Sequence, residues 1–179
     1  MKKIIVAVLF LIWFSSIKSQ TIKPIESIKW LSFQEMVVLQ KQNPKKVLID
    51  VYTDWCGYCK KMDAETYTNS EIIKYLNEKF YIVKLNAEMK DSIVYEKYTF
   101  VNPNPNQTRS THQLAYSLLD GKLGYPSTVF LDEKMQRLTV APGYYNAKNF
   151  EIIINWIASE AYKTQTNDDF AKSFVSKVK

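Results

Sequence analysis

The sequence predicts an α/β fold in which a central mixed β-sheet is flanked by helices. Val47, Leu48, Ile49 and Val51 form an apolar and largely β-branched run without alternation, as expected of a strand buried on both faces. A second apolar strand at 80–85 follows two helical patterns, which is the order of a β-α-β unit with parallel strands. Residues 127–131 and 137–141 flank a short polar turn and therefore predict an antiparallel pair. Parallel and antiparallel pairs together make the predicted sheet mixed.

The first half of the chain has clear helix start and stop signals. Ser32 and Glu35 have the spacing of a capping box, and Asn43-Pro44 ends the helix that they begin. After it we expect a strand over 46–53, a helix over about 59–65, a helix after the cap Asn69-Ser70, and the strand at 80–85.

The middle of the chain, residues 87–123, carries weaker patterns. Residues 95–101 are aromatic and β-branched and predict one short strand, whereas 102–106 form a turn cluster. Ser110-Thr111 could cap a helix that ends near Gly121. His112 is expected at the surface of that helix start, without a chemical role.

The end of the chain predicts two further helices. Phe150, Ile153, Ile154 and Ile157 form the apolar stripe of a long helix. In the tail, residues 164–179, Phe170 and Phe174 are spaced for a short helix that docks on the body.

The N-terminus has the pattern of an export signal peptide, residues 1–19. Lys2-Lys3 precede eleven apolar residues, 4–14, and a polar exit follows at 15–19. An uncleaved membrane anchor is the alternative, although eleven apolar residues fall short of the roughly 20 that a spanning helix needs. We therefore expect a periplasmic or extracellular protein whose residues 20–179 form a single domain.

Charge and cysteine usage exclude several function classes. The formal net charge of +6 falls to +3 without the three lysines of the leader, a mild imbalance that gives no basis for nucleic-acid binding. The two cysteines and a distant His112 are too few for a structural zinc site, which usually needs four ligands. No metal and no cofactor are therefore expected.

The two cysteines lie in the motif Cys56-Gly57-Tyr58-Cys59, where a strand ends and a helix begins. Unpaired backbone N–H groups and the helix dipole at that position favour a thiolate, so we expect a depressed pKa for Cys56. A structural disulfide closing so small a ring would add little stability, which favours redox chemistry. The absence of alternation around Asp50 indicates that this carboxyl group is buried.

The segment around the cysteines resembles the active site of the thioredoxin superfamily. Trp55 directly precedes the first cysteine, and Asp50 lies six residues before Cys56, where that family has a buried carboxylate. Lys84, on the next strand, matches the lysine that approaches this acid, and residues 124–131 resemble the cis-proline loop with its following strand.

The resemblance implies a thioredoxin-like fold with an insertion, about 87–123, between the second core strand and the cis-proline loop. This insertion either shapes partner choice or is a surface elaboration. The resemblance also implies catalytic roles for Cys56, Cys59, Asp50 and Lys84, with Asp50 accepting the proton of Cys59. Substrate contacts are expected from Trp55, Gly57, Tyr58, Tyr125 and Pro126, with a cis bond before Pro126.

Five of these assignments have an ordinary structural alternative. Lys84 could extend its ammonium group into water, and Trp55 and Tyr58 could belong partly to the core. Asp50 could occupy a solvent-facing strand position, and Pro126 could simply begin a strand.

These features predict an exported thiol-disulfide oxidoreductase that reduces or isomerises protein disulfides through a mixed disulfide. Its expected partners are disulfide- or thiol-containing client proteins and a membrane thiol or electron donor. A client-binding module without redox turnover, or a disulfide oxidase, remains an alternative. The dipeptide Gly57-Tyr58 influences the reduction potential but does not indicate the direction of the reaction.

Overall fold

The chain alternates strands and helices through most of its length. The computed structural model describes residues 26–179, so the predicted leader lies outside the described residues. The elements are β1 (Trp30–Leu31), α1 (Phe33–Gln42), β2 (Lys46–Tyr52), α2 (Gly57–Glu65), α3 (Ser70–Lys79), β3 (Phe80–Asn86), β4 (Ile93–Tyr95), β5 (Tyr98–Phe100), α4 (Gln113–Leu118), β6 (Ser127–Leu131), β7 (Arg137–Pro142), α5 (Ala147–Ala158), a 3₁₀ helix (Ala161–Lys163) and α6 (Asn167–Ser173).

A five-stranded mixed sheet in the order β1-β3-β2-β6-β7 forms the centre of the fold. Strand β3 runs parallel to β1 and β2, whereas β6 is antiparallel to β2 and β7 is antiparallel to β6. The register places Asp50 of β2 opposite Lys84 of β3 on one side and opposite Thr128 of β6 on the other. The predicted α/β class and mixed sheet are confirmed.

Apolar side chains cover both faces of the sheet, which explains the missing alternation in β2. Leu48 packs with side chains of α2, α3 and α5 on one face. Val47 and Ile49 pack with side chains of α1 and α4 on the other. A strand between two helical layers needs apolar residues at every position, and Asp50 is the polar exception within it.

The predicted caps of the first and third helices are confirmed. The Ser32 hydroxyl accepts the Glu35 amide at 3.2 Å, and the Glu35 carboxylate accepts the Ser32 amide at 2.7 Å, which closes the capping box. The Asn69 side chain accepts the first amides of α3. Within residues 26–179, every helix is too short or too polar to cross a bilayer.

Three predictions for residues 87–123 are wrong. The single strand expected over 95–101 is an antiparallel hairpin of β4 and β5, because the backbone turns at Glu96, whose φ is +54°. His112, expected at the surface, is fully buried. His112 and not the predicted Ser110-Thr111 is the N-cap of α4, since its Nδ1 accepts the Leu114 amide at 3.2 Å. Burial lowers the pKa of His112, so the ring is neutral at pH 7.

The C-terminal tail is attached to the body through Glu151 of α5. This buried carboxylate accepts hydrogen bonds from the Ser176 hydroxyl and from the backbone amides of Lys177 and Val178. The predicted tail helix is present as α6, and Val178 is buried in the core.

Candidate active site

The two cysteines lie at the junction between β2 and α2. Cys56 is the N-cap of α2, and its Sγ accepts the backbone N–H of Cys59 at 3.0 Å. The two sulfurs form a disulfide across one helical turn, with the Cα atoms 5.3 Å apart. The helix begins at Gly57, two residues earlier than predicted, which places Cys56 directly at the positive end of the helix dipole. A depressed pKa for the reduced Cys56 thiol stays a prediction.

Cys56 is the more accessible of the two sulfur-bearing residues, although both are largely buried. It is 5% exposed, against 2% for Cys59. Its neighbours Trp55 and Tyr58 are exposed, and a Cβ built on Gly57 would meet no atom within 4 Å. Trp55 and Tyr58 are therefore surface residues and not core residues, and the space beside Gly57 is open.

A buried acid lies on the strand that leads into the cysteines. Asp50 is 1% exposed, and its Oδ2 is 2.6 Å from Nζ of Lys84. Burial raises the pKa of the Asp50 carboxyl above its ordinary value, and the Lys84 ammonium offsets only part of this effect. A carboxyl group with a raised pKa can hold a proton closer to neutral pH than an exposed aspartate can.

Lys84 lies between two carboxylates and three aromatic rings. It also forms an ion pair with Asp63, and its Nζ is 4.8 to 5.4 Å from the ring centroids of Trp30, Tyr52 and Tyr67. Burial alone would lower the pKa of Lys84, but the two carboxylates raise it on balance. The lysine therefore stays cationic and points to the acid instead of extending into water.

Asp63 and Tyr67 were not predicted from the sequence. Asp63 follows Cys59 by four residues on α2, so both lie on the same helix face, and this spacing was a usable signal. The Tyr67 side chain is buried, and burial together with the nearby Asp50 charge raises its pKa well above the ordinary value, so its hydroxyl stays protonated. Tyr67 lies beyond the end of α2, where no periodicity indicated that its side chain turns inward.

The cis-proline loop lies beside the cysteine segment. The Tyr125–Pro126 peptide bond is cis, as the resemblance implied. The Tyr125 ring meets the Trp55 ring edge to face, with centroids 6.0 Å apart. Ser127, the first residue of β6, pairs with Val51 near the end of β2. The predicted contact residues Trp55, Tyr125 and Pro126 are thus brought to one side of the molecule.

A second aromatic pair lies on the α2 side of the cysteines. The rings of Tyr58 and Tyr144 have centroids 6.1 Å apart, and the Tyr144 hydroxyl donates to Glu65 at 2.5 Å. Lys61 lies over the Tyr144 ring, with Nζ 4.9 Å from its centroid. Tyr144 was not predicted, because its loop follows β7 and is distant from the motif in sequence.

Nothing in residues 26–179 has the geometry of a protein metal centre, since no group of three His, Cys, Asp or Glu side chains is placed to hold an ion. The chemistry available to the site is that of the two sulfurs, the buried acid and the lysine.

Comparison with known proteins agrees with this geometry. The model of the thioredoxin-like domain family matches residues 33–158. A thiol:disulfide interchange protein, DsbD, from Actinobacillus pleuropneumoniae is 26% identical over 153 residues, which cover 82% of this chain and 22% of that protein. The chain thus spans about a fifth of the length of this relative.

Solved structures show the same fold. A thioredoxin-fold protein from Helicobacter pylori superposes with a TM-score of 0.55 at 18% identity, over 73% of this chain and 80% of that one. The DsbH oxidoreductase superposes with a TM-score of 0.54 at 19% identity, over 82% of this chain and 93% of that one. The fold, the cysteine pair and the matched family model together show that the chain belongs to the thioredoxin-like domain family and is a thiol-disulfide oxidoreductase in the general sense.

Proposed function

We propose that the chain is an exported oxidoreductase that reduces or isomerises disulfides of client proteins. The observation that carries this proposal is the Cys56–Cys59 disulfide at the start of α2, on the strand–helix junction that follows the buried Asp50. A binding module without redox turnover needs neither the sulfur pair nor the acid, so the geometry favours the enzyme. The relative named as a thiol:disulfide interchange protein supports the same reaction class.

In the first step the reduced Cys56 attacks a client disulfide as a thiolate. A bond forms between Cys56 Sγ and one client sulfur, and the client S–S bond breaks, so that the other client sulfur leaves as a thiolate and takes up a proton. The first-turn amides of α2, including that of Cys59 at 3.0 Å, stabilise negative charge on Cys56 Sγ.

In the second step Cys59 resolves the mixed disulfide. Asp50 accepts the proton of the Cys59 thiol, and the resulting thiolate attacks Cys56 Sγ. The Cys56–Cys59 disulfide forms again and the second client thiol is released, so two electrons have passed from the protein to the client. The raised pKa of Asp50 suits this exchange of a proton near neutral pH.

The rim of the site provides the contacts for an extended client. Trp55 and Tyr58 are exposed next to the cysteines, and the space beside Gly57 is open. The loop at Tyr125 and Pro126 lies beside Trp55, where its backbone can pair with the client chain.

Turnover as a reductase needs a source of electrons, and we propose a membrane thiol or electron donor. The assignment to an exported compartment rests on the leader pattern of residues 1–19, and we place the activity in one domain, residues 20–179. The proposal includes no cofactor, metal or nucleic acid.

The test is insulin reduction coupled to dithiothreitol, with the protein lacking residues 1–19. Cys56→Ser should abolish the acceleration, and Cys59→Ser should accumulate the mixed disulfide on a non-reducing gel. Turnover by Cys56→Ser equal to that of the unmodified protein would exclude the enzyme. Equilibration with glutathione then measures the reduction potential of the Cys56–Cys59 pair, which gives the direction of the redox reaction. A potential of about −270 mV indicates a reductase, about −180 mV an isomerase, and about −120 mV an oxidase.

A further inference from the structure

Residues of the 87–123 segment hold the active-site Trp55 from two sides. The indole N–H donates to the Glu88 carboxylate at 2.9 Å, and the Arg109 guanidinium carbon lies 5.1 Å from the centroid of the Trp55 rings. Tyr125 meets the same side chain edge to face. Glu88 and Arg109 therefore contact the active site, which a surface elaboration without a functional role would not do.

The loop that carries Arg109 is fixed from within by Asn102. The Asn102 amide donates to the carbonyl oxygens of Met89 at 3.2 Å and Ser110 at 2.9 Å, and its oxygen accepts the Ser110 hydroxyl at 2.5 Å. The backbone N–H of His112 donates to the carbonyl of Ala87 at 2.7 Å. These bonds tie both ends of the loop together, so Arg109 is held in place before a client arrives.

Arg109 has a backbone conformation that a residue with a side chain rarely adopts. Its φ is +64°, in the left-handed region, which costs about 1 kcal/mol or more for a residue other than glycine. A glycine at this position would relieve the strain but would place no cation over Trp55. Glu96, Asp120, Met135 and Glu160 also have positive φ, so the conformation of Arg109 sets the direction of its side chain but does not by itself indicate a function.

The charge of Arg109 is available to a ligand. The side chain is exposed and forms no ion pair with any residue of the described part of the chain, Glu88 included. Glu88 carries the opposing charge, but it accepts the indole N–H at the edge of Trp55, while Arg109 covers the ring. A guanidinium group presents paired N–H donors that match a carboxylate.

A second aromatic residue near the cysteines has a similar arrangement. Lys61 lies over the Tyr144 ring, is exposed and is likewise without an ion pair to the residues described, while Tyr144 donates its hydroxyl to Glu65. Trp55 and Tyr144 are thus both aromatic residues whose polar atom is hydrogen-bonded to an acid and whose ring is covered by a cation.

We propose that Arg109 is a specificity-determining residue that receives a client carboxylate beside the disulfide under attack. The substrate class is an extended segment with an acidic residue next to its cysteine. The inference rests on the proposed function, because it concerns how that same site selects its clients.

The experiment compares two synthetic peptides, each with one disulfide, that differ only in having Glu or Lys after each cysteine. Single-turnover rates of the reduced protein with each peptide give a Glu-to-Lys rate ratio for the unmodified chain, Arg109→Gln and Arg109→Glu. Lys97→Gln is the matched control, since Lys97 is an exposed cation of the same segment that lies over Tyr98, with Nζ 5.7 Å from the ring centroid. Dividing the rate ratio of each variant by that of Lys97→Gln also cancels the difference in intrinsic reactivity between the two peptides.

Relative to Lys97→Gln, the ratio should fall about threefold in Arg109→Gln and about tenfold in Arg109→Glu, as expected for one and two units of charge at an exposed site. The effect should shrink in 0.5 M salt, because exposed charges are screened. Urea unfolding of each variant checks that the fold is retained.

One result would overturn the inference while leaving the proposed function intact. It is a Glu-to-Lys rate ratio that is the same in all variants, whether the two peptides are unaffected, are slowed equally, or are slowed through a change in the reduction potential. If the unmodified protein reduces neither peptide nor insulin, the proposed function itself fails.

Discussion

Replacing Lys84 by methionine tests the electrostatics beneath the cysteines. The substitution keeps a long side chain that can still contact the rings of Trp30 and Tyr67, but it removes the cation that neutralises Asp50. The Asp50 side chain is 2% exposed, so its charge is left in the protein interior without a partner. We expect a loss of stability that depends on pH.

The structure sets the size of that loss. Breaking a buried ion pair by removing one partner costs about 3–5 kcal/mol. Lys84 is one-fifth exposed, so we expect the lower end, about 3 kcal/mol, and the larger part of it at pH 8. The sign follows from the folded-state pKa of Asp50, which burial raises above its ordinary value of 3.8 and which the substitution raises further. When an acid has a higher pKa in the folded state, the folding free energy becomes less favourable as the pH rises from the unfolded pKa through the folded one. The loss of stability caused by Lys84→Met should therefore be smaller at pH 5 than at pH 8.

Urea unfolding of the oxidised protein at pH 5 and pH 8 measures both values without titrating thiols. Asp63→Asn is the matched control, since it removes the other carboxylate of Lys84. The Asp63 side chain is 45% exposed, so this substitution should cost only about 0.5 kcal/mol. The double variant Lys84→Met with Asp50→Asn should recover most of the stability at pH 8. An equal loss at both pH values, or no recovery in the double variant, would refute the reasoning.

Three further outcomes are expected. Asp50→Asn should slow resolution of the mixed disulfide by Cys59 about 100-fold at pH 7, with the deficit closing at higher pH, as quenched-flow trapping can measure; an equal deficit at all pH values would exclude a base. His112→Asn keeps the helix cap but should remove the loss of stability as the pH falls below 6.5, because the pKa of the buried histidine is lowered in the folded state. Urea midpoints that change equally between pH 5.5 and 7.5 in the variant and the unmodified protein would contradict this. Glu151→Ala should cost about 2 kcal/mol and expose the tail near Val178 to protease, since three hydrogen bonds to the carboxylate are lost; a protected tail would exclude this anchoring role.

The sequence allowed the central sheet to be predicted because its signals are local. Five consecutive positions of β2 without alternation indicate burial on both faces, and the caps at Ser32 and Asn69 define helix starts through side-chain hydrogen bonds within three residues. Strand β1 was missed because it has only two residues and is ordered by pairing with β3, more than fifty positions away.

The parts of the site that could not be predicted depend on contacts between distant segments. His112 has the position of a surface cap in sequence and becomes buried only because the loop of Asn102 folds back toward Ala87. The stacking of Arg109 on Trp55 joins residues more than fifty positions apart. Neither contact leaves a periodic pattern, and the resemblance offered no guide to residues 87–123.

The placement of Lys84 lets one site meet two opposed electrostatic demands. Cys56 needs positive potential, so that its sulfur ionises, whereas Cys59 needs a base that accepts a proton. An uncompensated Asp50 carboxylate would provide the base and, through the same charge, raise the pKa of Cys56. Because Lys84 contacts Asp50 at 2.6 Å from the neighbouring strand β3, the acid keeps its proton-accepting oxygens while its negative potential toward the helix terminus is reduced. The same Lys84→Met variant should therefore raise the pKa of the Cys56 thiol in the reduced protein, which the pH dependence of its iodoacetamide alkylation measures.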